Sequence, residues 1–233
     1  MIEGFTLTAF KLKRKLKITV NVPDDYYKSN KEYPLVFLFD GDYYFSYLDE
    51  KYKKINLAES LDDSFITIGI HSPRIPEWRT SELNPYYNGK LKDVDISLST
   101  IFFDYITNEL LSIISAKYRL NGNYYIMGVE DSCISALYML YNYEMFLGGM
   151  FFNPDIKDTD TESLLNFINN NYDKEKRIYL YQGENSSLED INFYNKLDKI
   201  FTNSTKYITN FNENSVDTFE DLKTYIKEGA KIF

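Results

Sequence analysis

The chain has 233 residues, 44% of them apolar, and a formal net charge of −9. That length suits one α/β domain with a sizeable core, and the acidic balance argues against binding a phosphate backbone, which needs clustered Lys and Arg. A single cysteine, Cys133, excludes an internal disulfide. The opening Met1-Ile2-Glu3-Gly4 has no basic segment followed by an apolar one, and no apolar run reaches the roughly 18 residues that a membrane span needs. The expectation is a cytoplasmic protein that binds neither nucleic acid nor membrane. Tyrosine (22) and phenylalanine (17) are abundant. The pairs Tyr43-Tyr44 and Tyr86-Tyr87 could line a carbohydrate or aromatic site; the simpler reading is half-buried surface tyrosines.

In chain order, residues 5–10 and 16–22 read as two β segments around a basic run, residues 11–17, whose interruption by Leu12 and Leu16 suits a solvated hairpin turn. In the second segment Leu16, Ile18, Val20 and Val22 alternate with polar residues, the pattern of a half-buried strand. Residues 34–39 (PLVFLF) form a continuous apolar run ended by Asp40-Gly41-Asp42, as in a strand buried on both faces. Residues 65–70, 124–127, 149–152 and 178–181 read the same way, and 207–211 more weakly. Helical spacing falls between these runs: residues 98–118, capped by Asp95, Ser97 or Ser99, then 133–143, 161–172, 188–201 and 217–231. An antiparallel start followed by alternating strands and helices predicts a mostly parallel sheet with helices on both faces. Ligands in such folds sit beyond the carboxyl ends of the strands. The residues to examine are therefore Asp40-Gly41-Asp42, His71, Glu130-Asp131, Gly183-Glu184 and the loop near 212–215.

Four segments, in this order, resemble the esterase D family, which includes enterochelin esterases and formylglutathione hydrolases. They are residues 16–41, closing on Tyr33-Pro34 and an apolar strand that ends in Asp40-Gly41; residues 66–85, a strand and then a loop with Arg79-Thr80-Ser81-Glu82-Leu83-Asn84-Pro85; the helix of residues 103–118; and residues 125–154, with Phe146-Leu147-Gly148 and Asn153-Pro154. The resemblance implies a single α/β-hydrolase domain over residues 1–233. The family's elbow reads Gly-x-Ser-x-Gly-Gly before an Ala-Leu helix. Here it reads Gly128-Val129-Glu130-Asp131-Ser132-Cys133, with Ala136-Leu137-Tyr138 following. That register puts Glu130 where the nucleophile belongs. Ser132 could serve only if the elbow slid by two residues.

By the same resemblance the histidine position falls near Asn214, the acid position on Glu184 or Asp190, and the oxyanion-hole backbone on Gly41 and Asp131. His71, the chain's only histidine, and Arg79 could reach the substrate; the plainer readings are a hydrogen-bonded loop histidine and an Arg79–Glu82 loop tie. Cys133 in the first turn of the elbow helix could have a lowered pKa, or could simply be a small packed residue. No cofactor and no metal is expected, although Asp40, Asp42, Glu130 and Asp131 could converge on a divalent cation through oxygen ligands. The leading reading is a catalytically inactive esterase relative that binds a small molecule or a protein at the strand-end cleft. The alternative is an active carboxylic-ester hydrolase that uses Glu130 or Ser132 with non-standard chemistry.

Overall fold

The alternating segment Leu16, Ile18 and Val20 is fully buried, and it forms half of the first hairpin. In the computed structural model, which describes residues 1–45, 47–48, 54–90, 97–183, 186–212 and 219–233, strands β1 (Ile2–Ala9) and β2 (Arg14–Asn21) pair antiparallel, Ala9 opposite Arg14. The basic run makes the turn. Lys13 adopts a left-handed backbone (φ 53°), Phe10 is exposed and Leu12 is buried. There follow β3 (Tyr33–Phe39), a one-turn helix α1 (Gly41–Tyr44), the short strands β4 (Tyr47–Leu48) and β5 (Lys54–Ile55), β6 (Ile66–Ile70) and helix α2 (Pro76–Leu83).

The longest predicted helix spans Ser99 to Lys117. It runs as α3 (Ser99–Asp104), a π-helical turn (Tyr105–Leu110) and α4 (Leu111–Lys117). None of the expected caps among the described residues takes the N-cap position, which falls on Leu98 with no side-chain cap bond; Ser97 precedes it and its Oγ accepts the Ser99 N–H at 3.4 Å, Ser99 is the first helical residue, and Asp95 lies outside the described residues. Then come β7 (Leu120–Val129), α5 (Ser132–Asn142), β8 (Phe146–Phe152), α6 (Thr161–Asn170), β9 (Arg177–Gly183), α7 (Leu188–Phe201), β10 (Lys206–Asn212) and α8 (Phe219–Ala230).

The main sheet has eight strands in the order β1-β2-β6-β3-β7-β8-β9-β10. The pairs β1/β2 and β2/β6 are antiparallel; β3/β6, β8/β9 and β9/β10 are parallel. Two of the continuous apolar runs, β3 and the second half of β7, take the middle positions, because a strand covered on both faces has no place for polar alternation. β10, the weakest strand signal, is an edge strand. No described helix is long and apolar enough to cross a membrane.

The chain divides into two compact units, residues 1–85 with 91–124 and residues 86–90 with 125–233. In the first, two ion pairs anchor α2. Glu82 is buried and accepts from Arg14 Nε (2.7 Å) and Nη2 (2.6 Å), which ties α2 to β2. Burial holds the Glu82 carboxyl above its ordinary pKa even though Arg14 acts to lower it. Arg79, one turn earlier, grips Asp40 in the same two-pronged way, Nε to Oδ1 at 2.9 Å and Nη2 to Oδ2 at 2.6 Å. The expected tie between Arg79 and Glu82 is therefore replaced by two longer-range pairs.

In the second unit α5 packs on β8 and α7 on β9, while α8 lies against the tyrosines of β9. Tyr179 donates its hydroxyl to Glu228 (2.9 Å), and Tyr181 stacks on Tyr225 with ring centroids 3.9 Å apart. Tyr86 packs with Tyr138 and Phe167, themselves stacked at 5.0 Å, and burial pushes its hydroxyl pKa up to about 12. Tyr44 is buried and Tyr43 is exposed.

Removing one member of a buried ion pair leaves the other uncompensated. Arg14→Met should therefore lower stability by about 3 kcal/mol in urea unfolding. The double change Arg14→Met with Glu82→Leu should recover most of that loss. Equal stability of the single variant and the parent would show that the pair carries no weight.

Candidate active site

Strand β7 ends at Val129 and α5 begins at Ser132, so Glu130 and Asp131 alone must reverse the chain. Glu130 takes the left-handed region at φ 55°, which costs a non-glycine residue about 1 kcal/mol and persists only where its surroundings impose it. Those surroundings are explicit. The Glu130 N–H donates to the Phe152 carbonyl (2.8 Å), and the Cys133 N–H donates to the Glu130 carbonyl (3.0 Å). Ser132 Oγ donates to the Val129 carbonyl (2.8 Å) and accepts the Val129 N–H (3.0 Å). Gly128 allows the helix to come this close: a Cβ there would lie 2.6 Å from the Cys133 Cα. The Glu130 residue is exposed and Asp131 half-buried.

This geometry treats the two candidate nucleophile positions differently. Ser132 is fully buried and both hydrogen-bonding functions of its hydroxyl are engaged within the turn. Position 130 is the apex. Cys133, fully buried, directs its thiol to the Phe152 carbonyl (3.4 Å), and burial pushes the thiol well above its usual pKa. The helix N-terminus therefore does not lower the thiol's pKa, and Cys133 packs as a small buried residue.

The same left-handed device recurs at two other strand ends, Asp40 after β3 (φ 53°) and Asn153 after β8 (φ 50°). Asn153 was not singled out from the sequence. Its N–H donates to the Tyr181 carbonyl (2.9 Å) and its Oδ1 accepts the Gly183 N–H (2.8 Å). The Asn-Pro pair was the available signal, since asparagine tolerates positive φ better than most residues. Gly41, beside Asp40, is required by contact: a Cβ would lie 2.4 Å from the Gly69 carbonyl carbon.

Of the two acid-position residues, Glu184 lies outside the described residues, as does Asn214 at the histidine position. Asp190 is occupied as a cap. With Ser187 it forms the capping box of α7, and its Oδ1 accepts the Ile156 N–H at 3.1 Å. His71 is half-buried, its Nε2 2.7 Å from Thr19 Oγ1 and its N–H donating to the Lys17 carbonyl (3.1 Å), so it is bound into the β2 side of its unit. The Arg79 side chain stays 27% exposed while it holds Asp40. Among the described residues no three His, Cys, Asp or Glu side chains gather as a metal site requires.

The family model named Esterase matches residues 10–220 of the chain. No curated protein sequence matches it. Among solved structures, the BES protein from Bacillus cereus is 18% identical, with a TM-score of 0.76, covering 99% of this chain and 95% of that one. An IroE-like serine hydrolase from Shewanella oneidensis is 17% identical, also at 0.76, covering 99% and 79%. An S-formylglutathione hydrolase from Agrobacterium tumefaciens is 12% identical at 0.71, covering 99% and 95%. At these identities the likeness is one of fold.

His71 gives this region a pH dependence. Burial, aided by Lys17 and Arg14, outweighs the opposing Asp42 and lowers its pKa from 6.5 to about 4. Between those values the unfolded chain binds the proton and the folded chain does not, so stability is full above about pH 6.5 and falls as the pH drops toward 4. Discounted for the half-exposed ring, the loss is on the order of 1 kcal/mol. Melting temperatures of the parent and His71→Gln should therefore converge between pH 7 and pH 4.5. A constant gap between them would mean that His71 does not titrate in the fold.

Proposed function

Because the chain belongs to the Esterase family and has the α/β-hydrolase fold, we propose that it is an esterase relative whose elbow no longer carries a nucleophile and whose remaining role is to bind a small molecule or a protein at its strand ends. The observation that carries this reading is the pairing of an exposed Glu130 at the left-handed apex with a Ser132 hydroxyl consumed inside the turn. A hydrolase of this kind needs a hydroxyl at the apex, a histidine to take its proton and two N–H groups for the oxyanion. Glu130 has no hydroxyl proton to give, and its charge opposes the oxyanion that would develop beside it. The single histidine, His71, is bonded to Thr19, and the late-loop position holds Asn214. A chain lacking both serine and histidine should turn esters over about six orders of magnitude more slowly than a complete triad. The reading includes a cytoplasmic location, in keeping with one free, buried cysteine.

The exposure of Glu130 is the one observation that favours the second reading, a carboxylate nucleophile attacking an ester directly. The two separate on a panel of short-chain nitrophenyl esters, assayed with and without Mg2+, Mn2+ or Zn2+. The inactive reading expects no saturable turnover above that of Glu130→Ala. Saturable turnover that vanishes in Glu130→Ala would replace it with the active one. Turnover that survives Glu130→Ala but vanishes in Ser132→Ala would instead return the serine to position 132.

Restoration of the triad gives a complementary test. Glu130→Ser alone should stay inactive, because an unactivated serine is a poor nucleophile near neutral pH. Adding Asn214→His should produce weak, saturable cleavage of the same esters. Activity in the single variant would reveal a base elsewhere in the chain.

A further inference from the structure

Beyond β8 and β9, within the unit formed by residues 86–90 and 125–233, the chain builds a cleft of about 390 Å3 that none of residues 128–133 lines. Its walls are fixed by backbone bonds. The loop after β8 passes through Asp158, left-handed at φ 55°, whose carbonyl accepts the Asn88 N–H (3.0 Å). The Asp160 N–H donates to the Tyr86 carbonyl (2.8 Å), and Tyr87 bridges Thr159, so residues 86–88 are pinned along this loop. The bond from the Ile156 N–H to Asp190 ties the same loop to the first turn of α7. Glu189, Asn192 and Lys196, three and four residues apart, share the face of α7 that lines the cleft.

The lining is polar: Asn88, Asp158, Thr161, Glu189, Asn192 and Lys196. None of these six side chains has a hydrogen-bond or ion-pair partner among the described residues. Two carboxylates and an ammonium group thus line one cleft without pairing. Spacing accounts for this in part, since seven residues of helix put Glu189 and Lys196 about 10 Å apart along the axis. The acidic end lies at the first turn of α7, beside the loop of Asp158, and the basic end lies two turns on.

We propose that this cleft binds a short peptide with free termini, its ammonium group held by Asp158 and Glu189 and its carboxylate by Lys196. An extended chain of three residues spans about 10 Å, comparable to the axial rise between Glu189 and Lys196. Asn88 and Asn192 supply the donors and acceptors that a peptide amide requires. A neutral sugar could use the amides and the hydroxyl of Thr161 but would leave all three charges unmatched. The proposal does not depend on the fate of the elbow, because its readout is binding and not turnover.

The test is calorimetric titration of the whole 233-residue chain with trialanine at low salt. Saturable one-to-one binding is expected. N-acetyl-trialanine and trialanine amide should each bind about tenfold more weakly, the effect of losing one charge-assisted contact. Lys196→Ala should weaken trialanine by the same factor and leave the affinity of trialanine amide unchanged. Asp158→Asn with Glu189→Gln should do likewise for trialanine and its N-acetyl form. All three positions are exposed, so these variants should fold. Absence of trialanine binding, equal binding by parent and variants, or tighter binding of maltotriose than of trialanine would each overturn the assignment.

Discussion

The structure around the elbow depends on one constraint: a residue in an unfavourable left-handed conformation must be held by more bonds than the conformation costs. Glu130 meets it through the Phe152 carbonyl on one side and the Cys133 N–H on the other, with Ser132 closing the loop from within. The cost is about 1 kcal/mol, and each hydrogen bond offsets a comparable amount. A strand that ends in such a residue turns at once instead of fraying. Because the Glu130 and Asn153 N–H groups reach the carbonyls of β8 and β9, the ends of neighbouring strands are locked to one another. Residues following those ends are therefore displayed from a rigid frame.

The other unit uses ion pairs where this one uses backbone bonds. Asp40 stands in the same left-handed conformation, and its side chain is clamped by both prongs of Arg79. Arg14 performs the same office for Glu82 one turn along α2. A planar guanidinium fixes a carboxylate in two directions at once, which a lysine could not do. The short helix α2 consequently has two charged grips one turn apart, beside the buried Leu83. Such grips serve position more than stability, since a buried ion pair returns little more than its desolvation cost.

Much of this was legible in the sequence, for physical reasons that also explain what was not. β3 and the second half of β7 announced themselves because the covered part of a strand must be apolar on both faces. β10 was faint because it lies at an edge, with one side of its backbone unpaired. The elbow register followed from Gly128 and from Ala136-Leu137, since close contact and helix burial constrain residue size. Helix α2 was read as a loop: it is eight residues long, begins at a proline, and buries only Ser81, Glu82 and Leu83, too few to set a period. The partners of Arg79 and Glu82 were misread because they lie 39 and 68 residues away, and local spacing says nothing about such pairs. The tyrosines were legible only as a surplus. Tyr86, Tyr179 and Tyr181 proved to pack helices against one another or against β9.

Ser132 bears on how such a chain changes over time. Because the turn is closed by a hydroxyl two residues past the apex, the bonds that shape it come from the backbone and from Ser132. Any residue that tolerates a positive φ and keeps its N–H can stand at position 130 without disturbing those bonds, whereas proline would remove the bond to Phe152 and a β-branched residue would be strained. Folding thus narrows the choice at the apex to a class of residues, and chemistry selects within that class.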